Sequence, residues 1–496
     1  MKQFDQSTSK RKIWPMPESF QAIRKTVSAL FLSSLLVLLA PFKAVSQDFA
    51  LHDGDTVVFY GDSITAQRLY TRFVEDFVFT RYPTIHVRFV NAGVGGDTVY
   101  GGYAGAMAER VKRDVEPYHP SMITVMLGMN DGGYVPFDTR IDAVFRTGYQ
   151  SLIDALRKAA PNATLTLIRP SPYDELTHGT DFPGYSSVIE HNARDVSEEA
   201  RQLQSTMKDH LLVADFYQPV VDALNRAKRQ SAELASLIIP DRIHPGEAGH
   251  WIMAAELMST WHVNPLVGRV LLNADKPSIL GTENTKVEAL QYTSDGLQWI
   301  QTDAALPLPL DPGDPMTKFL LGISEIARLD QQILQVDSLQ TGNYELAIDG
   351  KPMGTFSQDE LGHGVNIALY PTPMLSQARD IEWHQQRRAT LDQARFILSE
   401  EITSTSGSQG AAETLERAEA ELASNMRSSR VLKPHTFALR RTGAASPSVG
   451  GGNSFEGQSP VDRAAASLSQ RPSKCNRPYV PLPFLDNFPC GRTKFE

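Results

Sequence analysis

Residues 56–64, TVVFYGDSI, pass from a run of β-branched and aromatic residues directly into a polar turn. The composition of residues 56–60 is typical of a buried strand. Beyond the turn, apolar residues recur at the four-residue spacing of one helical face, at Leu69, Phe73 and Phe77. A strand that leads at once into a helix predicts a β–α–β unit, in which the connected strands are parallel.

The alternation of strand-like and helix-like segments continues to about residue 261. Four more β-rich runs lie at residues 86–91, 121–127, 163–168 and 211–215. Five strands separated by helices predict an α/β fold, a flavodoxin-like three-layer α/β/α sandwich around a parallel five-stranded sheet. Ligands bind beyond the carboxyl ends of the strands in such sheets, so we expect the functional residues just after the strands.

The pattern changes in the second half of the chain. Strand-like runs occupy residues 332–336 and 344–348, and the second run is followed by Asp349-Gly350, a strong hairpin-turn signal. A helical pattern follows at residues 378–398. We therefore predict a smaller mixed α/β domain at residues 266–400, and no function follows from its pattern.

Two further segments complete the C-terminal part. A run at residues 411–426 predicts a helical segment at residues 401–440, and residues 441–496 begin with a Gly-, Ser-, Pro- and Ala-rich stretch that predicts a disordered tail. The chain has 2 cysteines, Cys475 and Cys490, both in this tail. Neither a zinc ribbon nor a disulfide framework can therefore organise the main body, and whether the two cysteines pair stays open.

The N-terminal residues have the layout of a secretory signal. Arg24 and Lys25 precede an uncharged apolar run at residues 27–40, and Ala44-Val45-Ser46 offers a small-x-small cleavage site. The run is shorter than the roughly 20 apolar residues that span a membrane. We expect residues 1–46 to be removed and the protein to be exported to the periplasm or the extracellular space, without stable membrane insertion. An uncleaved signal that anchors the protein is the alternative.

Composition narrows the possible partners. The 496 residues carry a formal net charge of −9, and beyond residue 46 the chain has 41 Lys and Arg against 55 Asp and Glu, a net charge of −14. An acidic chain without a basic stripe argues against a nucleic-acid partner and favours solubility. Composition does not decide the oligomeric state.

Polar residues follow the first three predicted strands. Ser63 stands where a strand enters a helix, so it is either a nucleophile or a helix cap. Gly96, within Gly-Gly-Asp-Thr, either presents its backbone N–H to a ligand or forms an ordinary tight turn. Asn130, within Gly-Met-Asn-Asp, offers an amide donor or an Asx turn.

Asp241 and His244 follow the last strand and its helix, in the run Asp-Arg-Ile-His-Pro. Pro245 holds His244 just before a predicted helix, and Asp241 is near enough in sequence to fold back onto the imidazole. A carboxylate that accepts a hydrogen bond from one ring nitrogen holds the proton on that nitrogen. The other ring nitrogen can then accept a serine proton. A single histidine is more often a surface or core residue, but this spacing distinguishes His244 from the other 11.

Together, in this order, these blocks resemble the GDSL lipases and esterases of the SGNH hydrolase superfamily, over about residues 54–262. The Gly-Asp-Ser-Ile run at residues 61–64 resembles the first block, with Ile64 where the family name has leucine. Gly96 and Asn130 match the second and third blocks, and the Asp-x-x-His spacing at residues 241–244 matches the last. The predicted second domain resembles, more weakly, the C-terminal extension of a bacterial subgroup, through Tyr344-Glu345-Leu346, Ile348-Asp349-Gly350 and Thr372-Pro373-Met374.

The resemblance implies a serine hydrolase that needs no metal or other cofactor. Ser63 is the implied nucleophile, His244 the base and Asp241 the residue that orients the ring. The implied oxyanion hole comprises the backbone N–H groups of Ser63 and Gly96 and the side-chain amide of Asn130. A Gly-x-Ser-x-Gly elbow is absent because Thr65 occupies its last position, so the α/β-hydrolase fold is not expected.

The expected reaction is hydrolysis of a carboxylic ester through an acyl-enzyme. Family members act on lipid esters, thioesters and acetylated sugars. An exported acidic chain without an obvious hydrophobic lid favours a small-molecule or carbohydrate ester, above all an O-acetyl group, with lysophospholipid as second choice.

Two other functions stay open on the sequence alone. The first is a metal-dependent phosphoesterase whose ligands would be Asp62, Asn130, Asp131, Asp241 and His244. The second is an exported protein that binds a glycan at the sheet edge without cleaving it.

Overall fold

The computed structural model describes residues 48–442 except 178, 180, 181, 277 and 402–405. The predicted signal segment and nearly all of the predicted tail, with both cysteines, lie outside the described residues. Within the described part of the chain, no helix has the length and apolar character needed to cross a membrane.

A parallel five-stranded sheet forms the centre of the N-terminal half. In chain order the strands of this half are β1 (Thr56–Gly61), β2 (Arg88–Gly93), β3 (Gly101–Gly102), β4 (Gly105–Ala106), β5 (Met122–Met126), β6 (Thr164–Arg169) and β7 (Leu211–Asp215). The order in the sheet is β2-β1-β5-β6-β7, and the two-residue strands β3 and β4 pair separately as a small hairpin. The order of the five main strands is that of the flavodoxin-like fold, which confirms the predicted architecture.

Helices cover both faces of this sheet. Alternate residues of β1 point to opposite sides: Val57 and Phe59 belong to one buried cluster, and Val58 and Tyr60 to another. The helices are α1 (Ser63–Ala66), α2 (Leu69–Arg81), α3 (Met107–Asp114), α4 (Thr139–Ala159), α5 (Tyr185–Met207), α6 (Tyr217–Gln230), α7 (Ala232–Ser236) and α8 (Glu247–Thr260). This gives the predicted three layers.

Two mixed or antiparallel sheets build the C-terminal half, with strand orders β10-β11-β16-β13-β14 and β15-β12-β8-β9. The strands are β8 (Leu266–Asn273), β9 (Ser278–Glu283), β10 (Thr285–Tyr292), β11 (Gly296–Asp303), β12 (Gln331–Asp337), β13 (Asn343–Ile348), β14 (Lys351–Ser357), β15 (Val365–Asn366) and β16 (His435–Arg441). The helices are α9 (Pro315–Ile323), α10 (Gln358–His363), α11 (Pro373–Glu401) and α12 (Ser406–Ser429). The predicted hairpin is present, since Asp349 and Gly350 have φ values of 50° and 75° between antiparallel β13 and β14.

The predicted helical segment at residues 401–440 is wrong in its last part. Helix α12 ends at Ser429, and β16 then enters the five-stranded sheet between β11 and β13. The predicted domain boundary after residue 440 therefore falls inside a strand. Phe437 and Leu439 are buried in the sheet core, but a strand of seven residues with polar ends and distant partners has little local pattern to reveal it.

The C-terminal half packs directly on the hydrolase half. One buried apolar cluster extends from Leu51 to Leu439. A buried ion pair joins Arg81 of α2 to Asp330, with 2.9 Å between Nη2 and Oδ1. Helix α11 lies against α2, where Arg388 and Gln385 both donate to the Glu75 carboxylate. The extension is therefore continuous with the core of the first domain.

Candidate active site

The turn after β1 places Ser63 at the carboxyl edge of the sheet. Asp62 caps the short helix α1, since its Oδ1 accepts a hydrogen bond of 3.0 Å from the backbone N–H of Ile64. Position 61 has no room for a side chain, because a Cβ there would lie 2.8 Å from the Met126 carbonyl oxygen; it must therefore be glycine. Ser63 is the first residue of α1, so its backbone N–H has no partner within the helix.

The structure brings the three predicted catalytic side chains together. The Oγ of Ser63 lies 2.8 Å from Nε2 of His244, and Nδ1 of His244 lies 2.7 Å from Oδ2 of Asp241. Ser63 and His244 are 181 residues apart in the chain, so the tertiary fold makes this contact. The serine and the carboxylate thus occupy opposite nitrogens of one imidazole ring.

Hydrogen bonds hold the Asp241 carboxylate in its ionised form. Burial alone would raise its pKa, but the His244 ring and the backbone N–H groups of His244 and Ile243 all donate to it, and the net effect lowers the pKa of Asp241. An ionised carboxylate keeps the Nδ1 proton on the ring of His244. Nε2 is then free to accept the proton of the Ser63 hydroxyl.

The predicted oxyanion residues lie at the ends of the neighbouring strands. Gly96 has a φ of 71° and is exposed after β2, and Asn130 is half-buried after β5. Nδ2 of Asn130 donates to the Asp97 backbone carbonyl at 2.9 Å, and its Oδ1 accepts from the Tyr134 hydroxyl at 2.8 Å. The Asp97 carbonyl can only accept, so it requires the NH₂ end of the amide and leaves Oδ1 to the Tyr134 hydroxyl.

Tyr134 is a residue of the site that sequence reasoning missed. Its ring packs against the rings of Tyr185 and Phe182, with centroids 4.8 Å and 5.1 Å away. Its φ of 58° is unfavourable for a residue with a Cβ, and such strain is found where surrounding contacts enforce it. A tyrosine four residues after Asn130 carries no recognisable pattern on its own.

A buried arginine supports the loop that carries Gly96. The Arg110 side chain is fully buried and forms an ion pair with Asp97, and its Nη2 donates to the backbone carbonyl of Ala92. Its Nε donates to Asp114 at 3.1 Å, and its guanidinium lies 4.5 Å from the Tyr60 ring centroid. The only sequence signal was the four-residue spacing of Arg110 and Asp114 in α3, which usually marks a solvated helix face.

A second histidine joins α8 to the nucleophile turn. Nδ1 of His250 accepts a hydrogen bond of 3.2 Å from the backbone N–H of Tyr70, and Nε2 lies 2.8 Å from Oε1 of Gln67. Burial lowers the pKa of His250 to about 3, so the ring is neutral. His250 therefore fixes the end of α1 relative to the helix that follows His244.

The acidic groups of the phosphoesterase hypothesis have other partners. Asp62 caps α1, and Oδ1 of Asp131 accepts from the backbone N–H of Val99 at 2.9 Å. Burial raises the pKa of each carboxyl to about 7. Among the described residues, no group of three or more His, Cys, Asp or Glu side chains is arranged to hold a metal ion.

Part of this chain is similar to proteins of known family or structure. Residues 59–252 match the model of the GDSL-like lipase/acylhydrolase family. Among solved structures, a gut microbial diltiazem-metabolizing enzyme has 22% identity and a TM-score of 0.67, and the match covers 79% of this chain and 98% of that chain. None of the curated proteins matches this chain.

Two other solved structures match a smaller part of the chain. An acetylxylan esterase from Geobacillus stearothermophilus has 20% identity and a TM-score of 0.35, covering 43% of this chain and 97% of that chain. A lipase/acylhydrolase from Enterococcus faecalis has 19% identity and a TM-score of 0.31, covering 42% and 95%. The family match spans β1 to α8, which includes all four sequence blocks. Residues 59–252 therefore form a GDSL-like lipase/acylhydrolase region, and the protein is a hydrolase of ester bonds.

Proposed function

We propose that the protein is a serine esterase that cleaves carboxylic esters through an acyl-enzyme on Ser63. The observation that carries this proposal is the His244 ring, with Nε2 at 2.8 Å from the serine hydroxyl and Nδ1 at 2.7 Å from Asp241. This geometry supplies a nucleophile, a base within hydrogen-bond reach and a group that orients the base.

In the first half of the reaction, Ser63 Oγ attacks the ester carbonyl and its proton passes to Nε2 of His244. Asp241 stabilises the resulting imidazolium without taking its proton. The tetrahedral intermediate collapses when the ester bond breaks, and His244 returns the proton to the departing alkoxide. The products of this half are the free alcohol and the acyl-serine.

In the second half, water attacks the acyl-serine with His244 again as the base. The proton then returns from His244 to Ser63 Oγ as the carboxylic acid leaves, which restores the free enzyme. In both halves the negative charge develops on the former carbonyl oxygen. The backbone N–H groups of Ser63 and Gly96 and the amide of Asn130 are the proposed donors to that oxygen.

The proposed substrates are O-acetyl carbohydrates and small soluble esters, with lysophospholipid second. Exposed aromatic side chains near the proposed oxyanion residues favour a substrate whose alcohol part contains a ring. Tyr100 and Tyr103 follow Gly96 in the chain, and Phe182 packs on Tyr134. Flat aromatic surfaces suit the faces of rings better than they suit a long acyl chain, which needs an enclosed apolar tunnel.

A substrate panel tests this proposal directly. We expect hydrolysis of p-nitrophenyl acetate to continue in EDTA, with activity falling as the acyl chain lengthens, and we expect acetate release from acetylated xylan or from diltiazem, itself an acetate ester. Loss of all activity in EDTA, with recovery on adding a divalent metal, would favour the phosphoesterase instead. A fluorophosphonate probe that fails to label the protein would contradict the serine mechanism.

The Asn130 amide provides a more specific prediction. Asn130→Ala is expected to lower kcat for p-nitrophenyl acetate by about 10²–10³-fold with little change in KM, because an oxyanion donor acts mainly in the transition state. Tyr134→Phe removes the hydroxyl that holds this amide and is expected to lower kcat by about 3–10-fold, the equivalent of one lost hydrogen bond.

The double variant separates positioning from a general loss of structure. If Tyr134 acts through Asn130, Tyr134→Phe has no further effect on kcat in the Asn130→Ala background. Tyr344→Phe is a suitable control, since its hydroxyl donates to the Gln340 carbonyl at 2.9 Å in the C-terminal half, and its kcat should stay at the wild-type level. Additive losses in the double variant would remove Tyr134 from this role.

A further inference from the structure

A polar groove lies in the C-terminal half, outside the proposed active site. It has a volume of 910 Å³ and is bordered by α11, by the loop before α9 and by the chain entering β16. This volume is near the upper end of the roughly 300–1,000 Å³ range of small-molecule clefts. The groove is therefore large enough for a ligand of several ring units.

An exposed tryptophan forms part of the groove wall. Trp383 of α11 is 49% exposed, whereas Trp251, Trp261 and Trp299 are at most 4% exposed. The guanidinium carbon of Arg387 lies 3.2 Å from the Trp383 ring centroid, so this arginine covers one face of the indole. A large, exposed aromatic ring at a groove wall is a ready surface for the apolar face of a ligand.

The groove is lined by charged side chains of both signs. Its basic side chains are Lys351, Arg379 and Lys433, and its acidic side chains are Asp311, Asp380 and Glu382. Arg379 and Asp311 already form an ion pair of 3.0 Å. A surface on which acidic side chains alternate with basic ones offers little attraction to phosphate groups or other polyanions. Carboxylates, amides and ammonium groups can still bind uncharged hydroxyl groups as acceptors and donors.

We propose that this groove binds a neutral oligosaccharide, with one sugar ring stacked on Trp383. A pyranose ring has an apolar face of C–H groups and a rim of hydroxyl groups, and the groove pairs an aromatic surface with polar side chains such as Asp380 and Gln386. The proposal stands on these features and does not require the esterase mechanism to be correct.

The groove adjoins the hydrolase half of the protein. Helix α11, which carries Trp383 on the groove wall, packs on α2 through hydrogen bonds from Gln385 and Arg388 to Glu75. An oligosaccharide held in the groove would keep an acetylated chain near the proposed active site. This would raise the local concentration of a polymeric ester and would leave a small ester unaffected.

Calorimetric titration with unsubstituted sugars tests the proposal. We expect at least one of xylohexaose, cellohexaose, mannohexaose and chitohexaose to bind and to change tryptophan fluorescence, while a heparin hexasaccharide does not bind. Trp383→Ala should weaken this binding by at least about tenfold, roughly 1.4 kcal/mol, and Trp383→Phe should weaken it less because it keeps an aromatic face.

Controls separate this site from the catalytic one. Ser63→Ala should bind the same sugar with wild-type affinity, and Tyr292→Ala, which removes another aromatic side chain of 49% exposure, should also bind normally. Trp383→Ala should leave p-nitrophenyl acetate hydrolysis unchanged while raising KM for an acetylated polysaccharide. Failure of every neutral sugar to bind, or binding that survives Trp383→Ala unchanged, would overturn the proposal. Sugar binding without any esterase activity would contradict only the proposed function.

Discussion

Ser63→Ala is expected to lower kcat/KM for p-nitrophenyl acetate by at least about 10⁴-fold, since replacing the nucleophile of a serine hydrolase leaves only binding and the oxyanion donors. The structure gives the reason: the Ser63 hydroxyl is the group within 2.8 Å of the His244 base. The purified variant should keep the wild-type melting temperature, because the Ser63 side chain is half-buried and its hydrogen bond is to a partly exposed ring.

A second variant tests whether Ser63 and His244 act together in catalysis. His244→Ala should cause a loss of similar size, and the Ser63→Ala/His244→Ala double variant should be no worse than either single variant, because residues that act as one unit give non-additive losses. Thr98→Ala, which alters a neighbouring hydroxyl bonded to the Gly101 carbonyl, is a matched control and should stay within a few-fold of wild type. Activity within tenfold of wild type in Ser63→Ala would exclude Ser63 as the nucleophile.

Arg110→Met is expected to destabilise the fold by about 3–5 kcal/mol, the cost of leaving the buried Asp97 carboxylate without its partner, while Asp114 keeps its ion pair with Arg113. The Asp97 and Asp114 carboxylates both bond to this guanidinium, and all three side chains are at most 5% exposed. Burial already raises the pKa of Asp97 against the opposing charge of Arg110, so removing Arg110 should raise it further. Urea unfolding of the variant measures the loss.

The same variant should also reduce activity, because Asp97 connects Arg110 to the oxyanion residues. The Asp97 carbonyl accepts from Asn130, and Gly96 precedes Asp97 in the chain. Adding Asp97→Asn to Arg110→Met should recover part of the lost stability by removing one unpaired charge. Arg113→Met is the matched control on α3: its side chain is 45% exposed, and its loss should cost less than about 1 kcal/mol. Equal stability of the Arg110 and Arg113 variants would refute this account.

Much of the hydrolase half was predictable from local patterns. The apolar runs at β1, β5 and β6 are short and buried on both faces, which gives each of these strands a recognisable composition. Ser63, Gly96 and Asn130 were identifiable because each follows such a strand, and parallel strands end at one edge of the sheet. Asp241 and His244 were identifiable because they stand three positions apart in a turn, with two residues between them.

The remaining features depend on contacts between distant parts of the chain. β16 pairs with β13 across more than 80 residues, and its sequence HTFALRR gives no strong strand signal alone. Tyr134 and Arg110 are ordinary polar residues in sequence, and only their partners give them a role at the site. Trp383 likewise becomes part of a groove only because the loop before α9 and the start of β16 lie beside α11.

The sequence by itself determined the order of strands and helices and the positions of the catalytic candidates, because hydrophobic periodicity and turn chemistry act over a few residues. The tertiary structure decided which side of His244 faces Ser63, how the Asn130 amide is oriented, and where the extension packs. Those features are set by hydrogen bonds and buried charges between residues far apart in the chain. Local sequence patterns do not indicate which distant residues will be in contact.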